Sequence, residues 1–283
     1  MPNAILLISC PDKKGIIANL SNFIYKYNGN IENLDQHIDY ETNTFFTRIE
    51  WNLKNFKLNR EEIPKNFSKI ANNFKMKFSL DFTDNIINMV VFSSKFTHCL
   101  YDIILRYKEG QFKVNLPFII SIHPNTTKVA KIFDIPVFEF KINDKNRLKV
   151  EKEQLALLKK ENINLIVLAR YTRILSKQFI NNFKNKIINI HHSFLPAFIG
   201  NNPYEQAYAR GVKIIGATSH YVTYKLDAGP IIEQDIIRVS HKDTLKDLKR
   251  KGKDLEKLVL SRAIRWHLER KILVYNNKTV IFD

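Results

Sequence analysis

Three side chains in the carboxyl-terminal half of the chain have the chemistry to act together on a carbonyl: Asn189, His191 and Asp227. An amide and an imidazole can both aim N–H donors at an oxyanion as it forms, while a carboxylate orients a water molecule or takes its proton. Their spacing favours joint use. In Ile187-Ile188-Asn189-Ile190-His191 polar residues alternate with isoleucines, so period two places Asn189 and His191 on one face of a half-buried strand. A Pro/Gly-containing loop follows, then a helical turn from Pro203 to Arg210 and a strand from Lys213 to Val222. Leu226-Asp227-Ala228-Gly229-Pro230 then returns a carboxylate through a tight turn. Each residue alone has an ordinary structural explanation, since Asn and Asp-Gly are turn formers. It is the order of the segment that points to acyl chemistry. His191 and His192 would face opposite sides of a continuing strand and make no chelating pair, so no metal is expected. Ser193 lacks the glycine-flanked elbow of a serine nucleophile.

The elements that must hold these residues form an α/β pattern. From Ile86 onward strands alternate with helices: a strand from Ile86 to Phe92, a helix from Thr97 to Lys108 and a strand from Val114 to Ile122. A helix from Thr126 to Phe133, a short strand at Val137, a helix from Arg147 to Glu161 and a strand from Asn164 to Ala169 complete the run. That alternation predicts a Rossmann-like, mostly parallel sheet covered on both faces, with ligands bound beyond the carboxyl ends of its strands. After the site come a strand from Ile231 to Val239 and a long helix from Leu245 to Arg270 whose Leu248, Leu255, Val259, Ile264 and Leu268 share a stripe. A terminal hairpin turns at Asn276-Asn277. The first 84 residues read differently. Ala4 to Ser9, a helix opened by Gly15, strands at Asn30 to Asp39 and Phe45 to Trp51, a helix from Arg60 to Met76 and a strand from Lys77 to Phe82 give βαββαβ, a ferredoxin-like order. The polar Thr83-Asp84-Asn85 divides a domain of residues 1–84 from one of residues 85–283.

Composition sets the background. The 283 residues are 45% hydrophobic and carry only 8 Gly and 9 Pro, as expected of a folded globular chain. The formal charge of +17 would suit nucleic acid or an anionic membrane. The lysines are nevertheless dispersed and build no basic block or basic amphipathic helix, so neither partner is expected. Cys10 and Cys99 lack metal-ligand spacing and do not suggest a disulfide scaffold. No apolar run approaches the ~18 residues of a membrane span, and the first residues lack the pattern of a signal peptide. A reduced, cytoplasmic setting is the expectation.

Taken as a series, NIH, SFLP, GATSHYV and LDAGPII resemble the catalytic segment of the folate-dependent formyltransferases and hydrolases. The HHSFLPAFIG version, with NPYEQAY behind it, resembles the formyltetrahydrofolate deformylase family among them. The resemblance covers nearly the whole chain and implies hydrolysis of 10-formyltetrahydrofolate to formate and tetrahydrofolate, feeding formate to purine synthesis and balancing the one-carbon pool. Asn189, His191 and Asp227 would be catalytic and His220 supporting. The loop Leu168 to Ser176, with Arg173, Ile174 and Leu175, would receive the pterin, together with Tyr221, Thr223 and Tyr224. Folate is then the substrate and no separate cofactor is implied. The alternative is formyl transfer to an amine such as glycinamide ribonucleotide. Transformylases of that kind hold the substrate phosphate on a glycine-rich loop after the first strand, whereas no glycine occurs here between Ile86 and Glu109. A more distant alternative is a basic regulatory protein without catalysis.

The first domain resembles an ACT domain through LLISCPDKKGIIANLSNFI, GNIENLDQHID and FFTRIEW. That implies a homo-oligomer and an amino-acid effector bound near Asp12 and Gly15, or an assembly role alone. Two departures stand out: Lys13-Lys14 where the ACT motif often has Arg-Pro, and Ser121-Ile122-His123 where Ser-Asn-His is usual.

Overall fold

The computed structural model describes residues 1–197 and 202–283; the part of the Pro/Gly loop at 198–201 lies outside the described residues. Two compact units result. One is formed by Met1–Ile86 with Glu269–Tyr275 and Val280–Asp283, the other by Ile87–Leu268 with Asn276–Thr279. The division falls beside the polar Thr83-Asp84-Asn85, but the chain's last residues group largely with the first unit instead of the second. The reason is apolar and electrostatic. Phe46, Leu273, Val280 and Phe282 share one buried cluster, and the buried Arg48 guanidinium donates to the carbonyls of Glu269 and Arg270.

In the first unit β1 (Asn3–Pro11), α1 (Ile16–Lys26), β2 (Asn30–Asp39), β3 (Thr44–Asn52), α2 (Glu62–Asn73) and β4 (Lys77–Phe82) follow in the expected order. The sheet is antiparallel and ordered β2-β3-β1-β4. Ile16, Leu20, Phe23 and Ile24 of α1 and Ile63, Phe67 and Ala71 of α2 close over it, sharing a core with Ile49 and Trp51. Helix α2 is shorter than the apolar periodicity of Arg60–Met76 predicts. Pro64 sits in its first turn, where a missing N–H costs little, and the chain leaves the helix at Lys75, which is left-handed at φ 54.

The second unit comprises β5 (Ile87–Ser93), α3 (His98–Lys108), β6 (Val114–Asn115), β7 (Ile119–Ser121), α4 (Pro124–Ile132), β8 (Val137–Glu139), α5 (Arg147–Lys160) and β9 (Leu165–Ala169). It continues with α6 (Lys177–Asn182), β10 (Ile187–His191), α7 (Pro203–Arg210), β11 (Ile214–Tyr221), β12 (Ile231–Arg238) and α8 (Leu245–Leu268). The terminal strands β13 (Ile272–Tyr275) and β14 (Lys278–Ile281) pair with each other across the expected Asn276-Asn277 turn. The main sheet runs β12-β11-β10-β9-β5-β7-β8 with β6 beside β5. Its β8, β7, β5, β9 and β10 are parallel, and β11 and β12 are added antiparallel. Strand β9 is buried throughout, as a parallel strand covered on both faces must be.

Two local expectations are corrected. The strand predicted from Val114 to Ile122 is broken into β6 and β7, with Leu116-Pro117-Phe118 between them; Pro117 has no N–H to give to a ladder. Helix α6 was not foreseen, because six residues show too little periodicity. It starts at Ser176, whose hydroxyl accepts from the Phe179 N–H, and it buries Phe179 and Ile180.

Candidate active site

The carboxyl ends of β5, β9 and β10 lie side by side, so residues after Ser93, Ala169 and Asn189 converge on one region. Asn189 and His220 are direct partners across the antiparallel β10–β11 pair, which sets their side chains on the same face. Their contact follows: Asn189 Nδ2 lies 3.2 Å from His220 Nε2. The other His220 nitrogen, Nδ1, lies 3.0 Å from the Tyr221 carbonyl, and a carbonyl only accepts, so Nδ1 carries the proton. Nε2 therefore faces both the Asn189 amide nitrogen and the Asp227 carboxylate. This contact places the Asn189 amide at the cavity.

Asp227 joins from the turn after β11, in a left-handed conformation at φ 48. Its Oδ2 lies 3.2 Å from His191 Nδ1 and its Oδ1 3.7 Å from His220 Nε2. All three side chains are nearly enclosed. Burial alone would raise the Asp227 carboxyl, but the His220 and His191 rings beside it outweigh burial and hold it below the ordinary aspartate value. The turn depends on Gly229, because a Cβ there would stand 1.7 Å from the Tyr221 carbonyl oxygen. The Tyr221 N–H donates to the Pro230 carbonyl and Asn277 Nδ2 to that of Ala228, so the turn is pinned from two directions.

These residues border a cavity of about 260 Å³ whose lining includes Asn189, His191, His220 and Asp227. Of the expected substrate-binding positions, Arg173, Ile174, Leu175, Thr223 and Tyr224 line it too. Ile174 and Tyr224 are exposed apolar surface at its edge, and Leu175 is buried. Arg173 reaches back to the Ile142 carbonyl. Tyr221 is placed elsewhere: it is buried, absent from the lining, and its hydroxyl lies 2.7 Å from His267 Nδ1. Successive strand residues face opposite ways, so a chain that aims His220 and Val222 at the cavity aims Tyr221 at the far side. The opposed orientation expected for His191 and His192 is also corrected. Strand β10 ends at His191, both imidazoles line the cavity, and their ring centres are 5.3 Å apart.

Behind His192 lies a cluster that the sequence did not flag. Glu256 on α8 is almost fully buried and accepts from His98 Nε2 at 2.8 Å and from the Tyr204 hydroxyl at 2.7 Å, with Arg170 Nε at 3.5 Å. Burial would raise this carboxyl, yet His98, Arg170 and Tyr204 bring it down to about 2. Gly252 makes room, since a Cβ there would stand 2.0 Å from the Tyr204 hydroxyl. Burial, reinforced by the positive charge of Arg170, drives His192 down to about 3 and leaves it neutral. His98, Cys99 and Glu256 have ligating atoms within 4.8 Å of one another. Glu256 is already occupied by neighbouring donors and a guanidinium, which fill the place a cation would take. A signal was present in the sequence: Gly252, Glu256 and Leu260 recur at four-residue spacing, a buried row with a carboxylate in it.

At the other site expected from sequence, Gly15 precedes α1 with φ 91, a conformation open to glycine, and Asn19 Nδ2 donates to its carbonyl. Asp12 donates its N–H to the Asn43 carbonyl.

Comparison with known proteins identifies the family of both regions. Residues 87–264 match the formyl transferase family, and residues 4–50 match the ACT domain. The formyltetrahydrofolate deformylase of Synechocystis sp. is 50% identical over 279 residues, 99% of this chain and 98% of that protein. The chain belongs to the formyltetrahydrofolate deformylase family. The crystal structure of a deformylase from Pseudomonas syringae pv. tomato superposes with a TM-score of 0.96 at 40% identity, covering 100% of this chain and 95% of that one. Glycinamide ribonucleotide transformylase 1 from Symbiobacterium toebii aligns less extensively, with a TM-score of 0.67 at 28% identity over 72% of this chain and 98% of that one. In this family the mixed α/β architecture, an ACT-like antiparallel sheet followed by a mostly parallel formyltransferase sheet, is the expected one, and it is the one observed.

Proposed function

We propose that the chain hydrolyses 10-formyltetrahydrofolate to formate and tetrahydrofolate. One observation carries the chemistry: Asn189, His191 and Asp227 meet at a single cavity, with Asp227 against His191 Nδ1. A carboxylate only accepts, so Nδ1 donates to Asp227, and Nε2 is the atom we assign to the substrate. The formyl oxygen, on becoming an oxyanion, takes an Asn189 N–H and the His191 Nε2–H of the imidazolium that Asp227 supports. Asp227 Oδ1 faces His220 at a long 3.7 Å and keeps a lone pair with which to hold the attacking water and take its proton. Collapse of the intermediate breaks the C–N bond, and the proton that Asp227 took from the water passes to the departing folate nitrogen. His220 acts through Asn189 and Asp227. Arg173, Ile174, Leu175, Thr223 and Tyr224 form the folate side, with the pterin held by the backbone and apolar side chains of the loop after β9.

The test is direct: 10-formyltetrahydrofolate is incubated with the full-length protein, with and without glycinamide ribonucleotide, and formate is measured. Formate release equal to folate consumed, without any amine, is expected. Consumption only in the presence of the amine would establish the transferase reading instead. The strand-to-helix connection Ser94–Thr97 contains no glycine with which to wrap a phosphate.

The first unit we assign to control. An amino acid bound beside Asp12 and Gly15 would modulate hydrolysis, in a homo-oligomer that pairs these units. The ten-residue edge strand β2 has Leu34 exposed on it and suits such pairing. Two free buried cysteines fit a reduced cytoplasmic setting. Among the described residues no helix is long and apolar enough to cross a membrane. Formate made in this way would feed purine synthesis and balance the one-carbon pool.

A further inference from the structure

Arg170, the first residue after β9, is held in an unusual way. Its backbone is left-handed at φ 59, a region few non-glycine side chains occupy without a compensating reason. The side chain is 14% exposed and lines the same cavity as Asn189, His191, His192 and Asp227. Three contacts fix it from behind. Nε lies 3.5 Å from the buried Glu256 carboxylate, the guanidinium lies 5.2 Å from the centre of the Phe96 ring, and the Ser94 hydroxyl donates to the Arg170 carbonyl. Among the described residues the guanidinium makes no hydrogen bond, and Nε is buried without one. A planar cation, its Nε turned to a buried carboxylate that His98 and Tyr204 hold in turn, therefore borders the reaction chamber.

We propose that Arg170 is the subsite for the carboxylate of formate and that it biases the centre toward water as acceptor; the inference rests on the hydrolytic reading above. The balance of the reaction is the argument. Water forms the new C–O bond and gives one proton to Asp227. The C–N bond breaks with its electron pair and a proton on nitrogen, and the formic acid so formed loses its remaining proton. Hydrolysis thus creates an anion in the chamber, whereas transfer to an amine creates a neutral formamide. A guanidinium matches the two carboxylate oxygens and repels an incoming ammonium. Glu256, His98 and Tyr204 are positioning residues for it, and Gly252 supplies the space they need.

The experiment uses the full-length protein and Arg170→Gly, a substitution that the left-handed backbone accepts. Turnover should fall by about 10-fold or more, the scale of a charge-assisted contact, with the KM for 10-formyltetrahydrofolate changed much less. Inhibition by sodium formate should weaken by about 10-fold or more on the same ground. Guanidinium chloride at low millimolar concentration should restore turnover, and added hydroxylamine should capture a larger share of the formyl group than in the wild type. An arginine with a merely structural role would give neither rescue nor altered formate inhibition. Wild-type turnover and formate inhibition in Arg170→Gly would overturn the subsite. If that variant does not fold, the wild type decides: inhibition by sodium formate above that by sodium acetate at equal ionic strength supports the subsite, and its absence overturns it. Failure of the wild type to release formate without an amine overturns the hydrolytic reading itself, an outcome separate from any behaviour of Arg170→Gly.

Discussion

Asp227→Asn is the cleanest probe of the site. Asparagine is among the residues that tolerate the left-handed region, so φ 48 at this position is kept, and the amide oxygen can still accept from His191 Nδ1. What is lost is the charge. At 3.2 Å and an effective dielectric of about 20, a carboxylate and an imidazolium attract by about 5 kcal/mol. The retained hydrogen bond and the lower desolvation cost of an amide offset part of that, leaving roughly 3 to 4 kcal/mol of transition-state stabilisation. At 1.36 kcal/mol per factor of ten this is about 100-fold to 1,000-fold in turnover. The KM for 10-formyltetrahydrofolate should change little, because the charge is needed as the oxyanion develops and less in the ground state. Steady-state formate release and folate consumption measure both. Asp227 lies below the ordinary aspartate value, so it remains ionised above about pH 4, and a wild-type acid limb at higher pH belongs to another group. Near-normal turnover in Asp227→Asn would refute the reasoning, and unchanged turnover with a raised KM would make Asp227 a binding residue.

Other substitutions test the supports. Gly229→Ala would put a Cβ 1.7 Å from the Tyr221 carbonyl oxygen, so the turn must move; both melting temperature and turnover should drop, and a variant with wild-type values for both would show that the turn carries no constraint. Glu256→Gln should cost about 3 to 5 kcal/mol, as for a broken buried ion pair. Because the folded Glu256 titrates at about 2 against an ordinary 4.5, its contribution is complete above about 4.5 and disappears as pH falls toward 2. Denaturation curves of Glu256→Gln should therefore be flatter with pH across that window, and an unchanged slope would contradict the assignment. Titrating the common amino acids against the activity of the full chain should reveal one with an effect of about 1 to 3 kcal/mol in coupling. Gly15→Val should blunt that response, since valine cannot comfortably adopt φ 91; no response from any amino acid would leave the first unit an assembly platform.

Much of this architecture is legible in the sequence because local and global signals agree. Alternation at Ile187–His191, the Pro203 start of α7 and the stripe Leu248, Leu255, Val259, Ile264 and Leu268 all reappear as drawn. Errors fall where one residue decides. Pro117 breaks a strand that apolar content alone would continue, and the pleat turns Tyr221 away from the cavity that its neighbours line. The end of β10 at His191 removes the alternation that would have parted His191 from His192. Glu256 stands among the lysines of α8, and its four-residue spacing with Gly252 and Leu260 marks a buried row without naming its partners. Those partners, His98, Arg170 and Tyr204, come from α3, the loop after β9 and α7, and no local pattern predicts that three such distant segments converge.

The triad does not by itself choose an acceptor. In the proposed mechanism Asn189 and His191 would stabilise the same oxyanion whether water or an amine attacks, and proteins similar to this chain are named for both outcomes. Selection must then come from groups that meet the acceptor and the product. Ile174, Leu175 and Tyr224, proposed to meet the folate, would treat water and amine alike. The Arg170 cation, with the Glu256 carboxylate behind it, would distinguish them, because only hydrolysis leaves an anion to be held. Such a device needs rigidity, since a guanidinium free to swing would pair with Asp227 and quench the group that holds the water. Glu256 is itself held by His98 and Tyr204 and is nearly inaccessible, which keeps the arginine anchored to the rear wall while the carboxylate of Asp227 stays directed at His191. Placing the second carboxylate out of solvent is costly for the fold, and the reaction supplies the reason to keep it there.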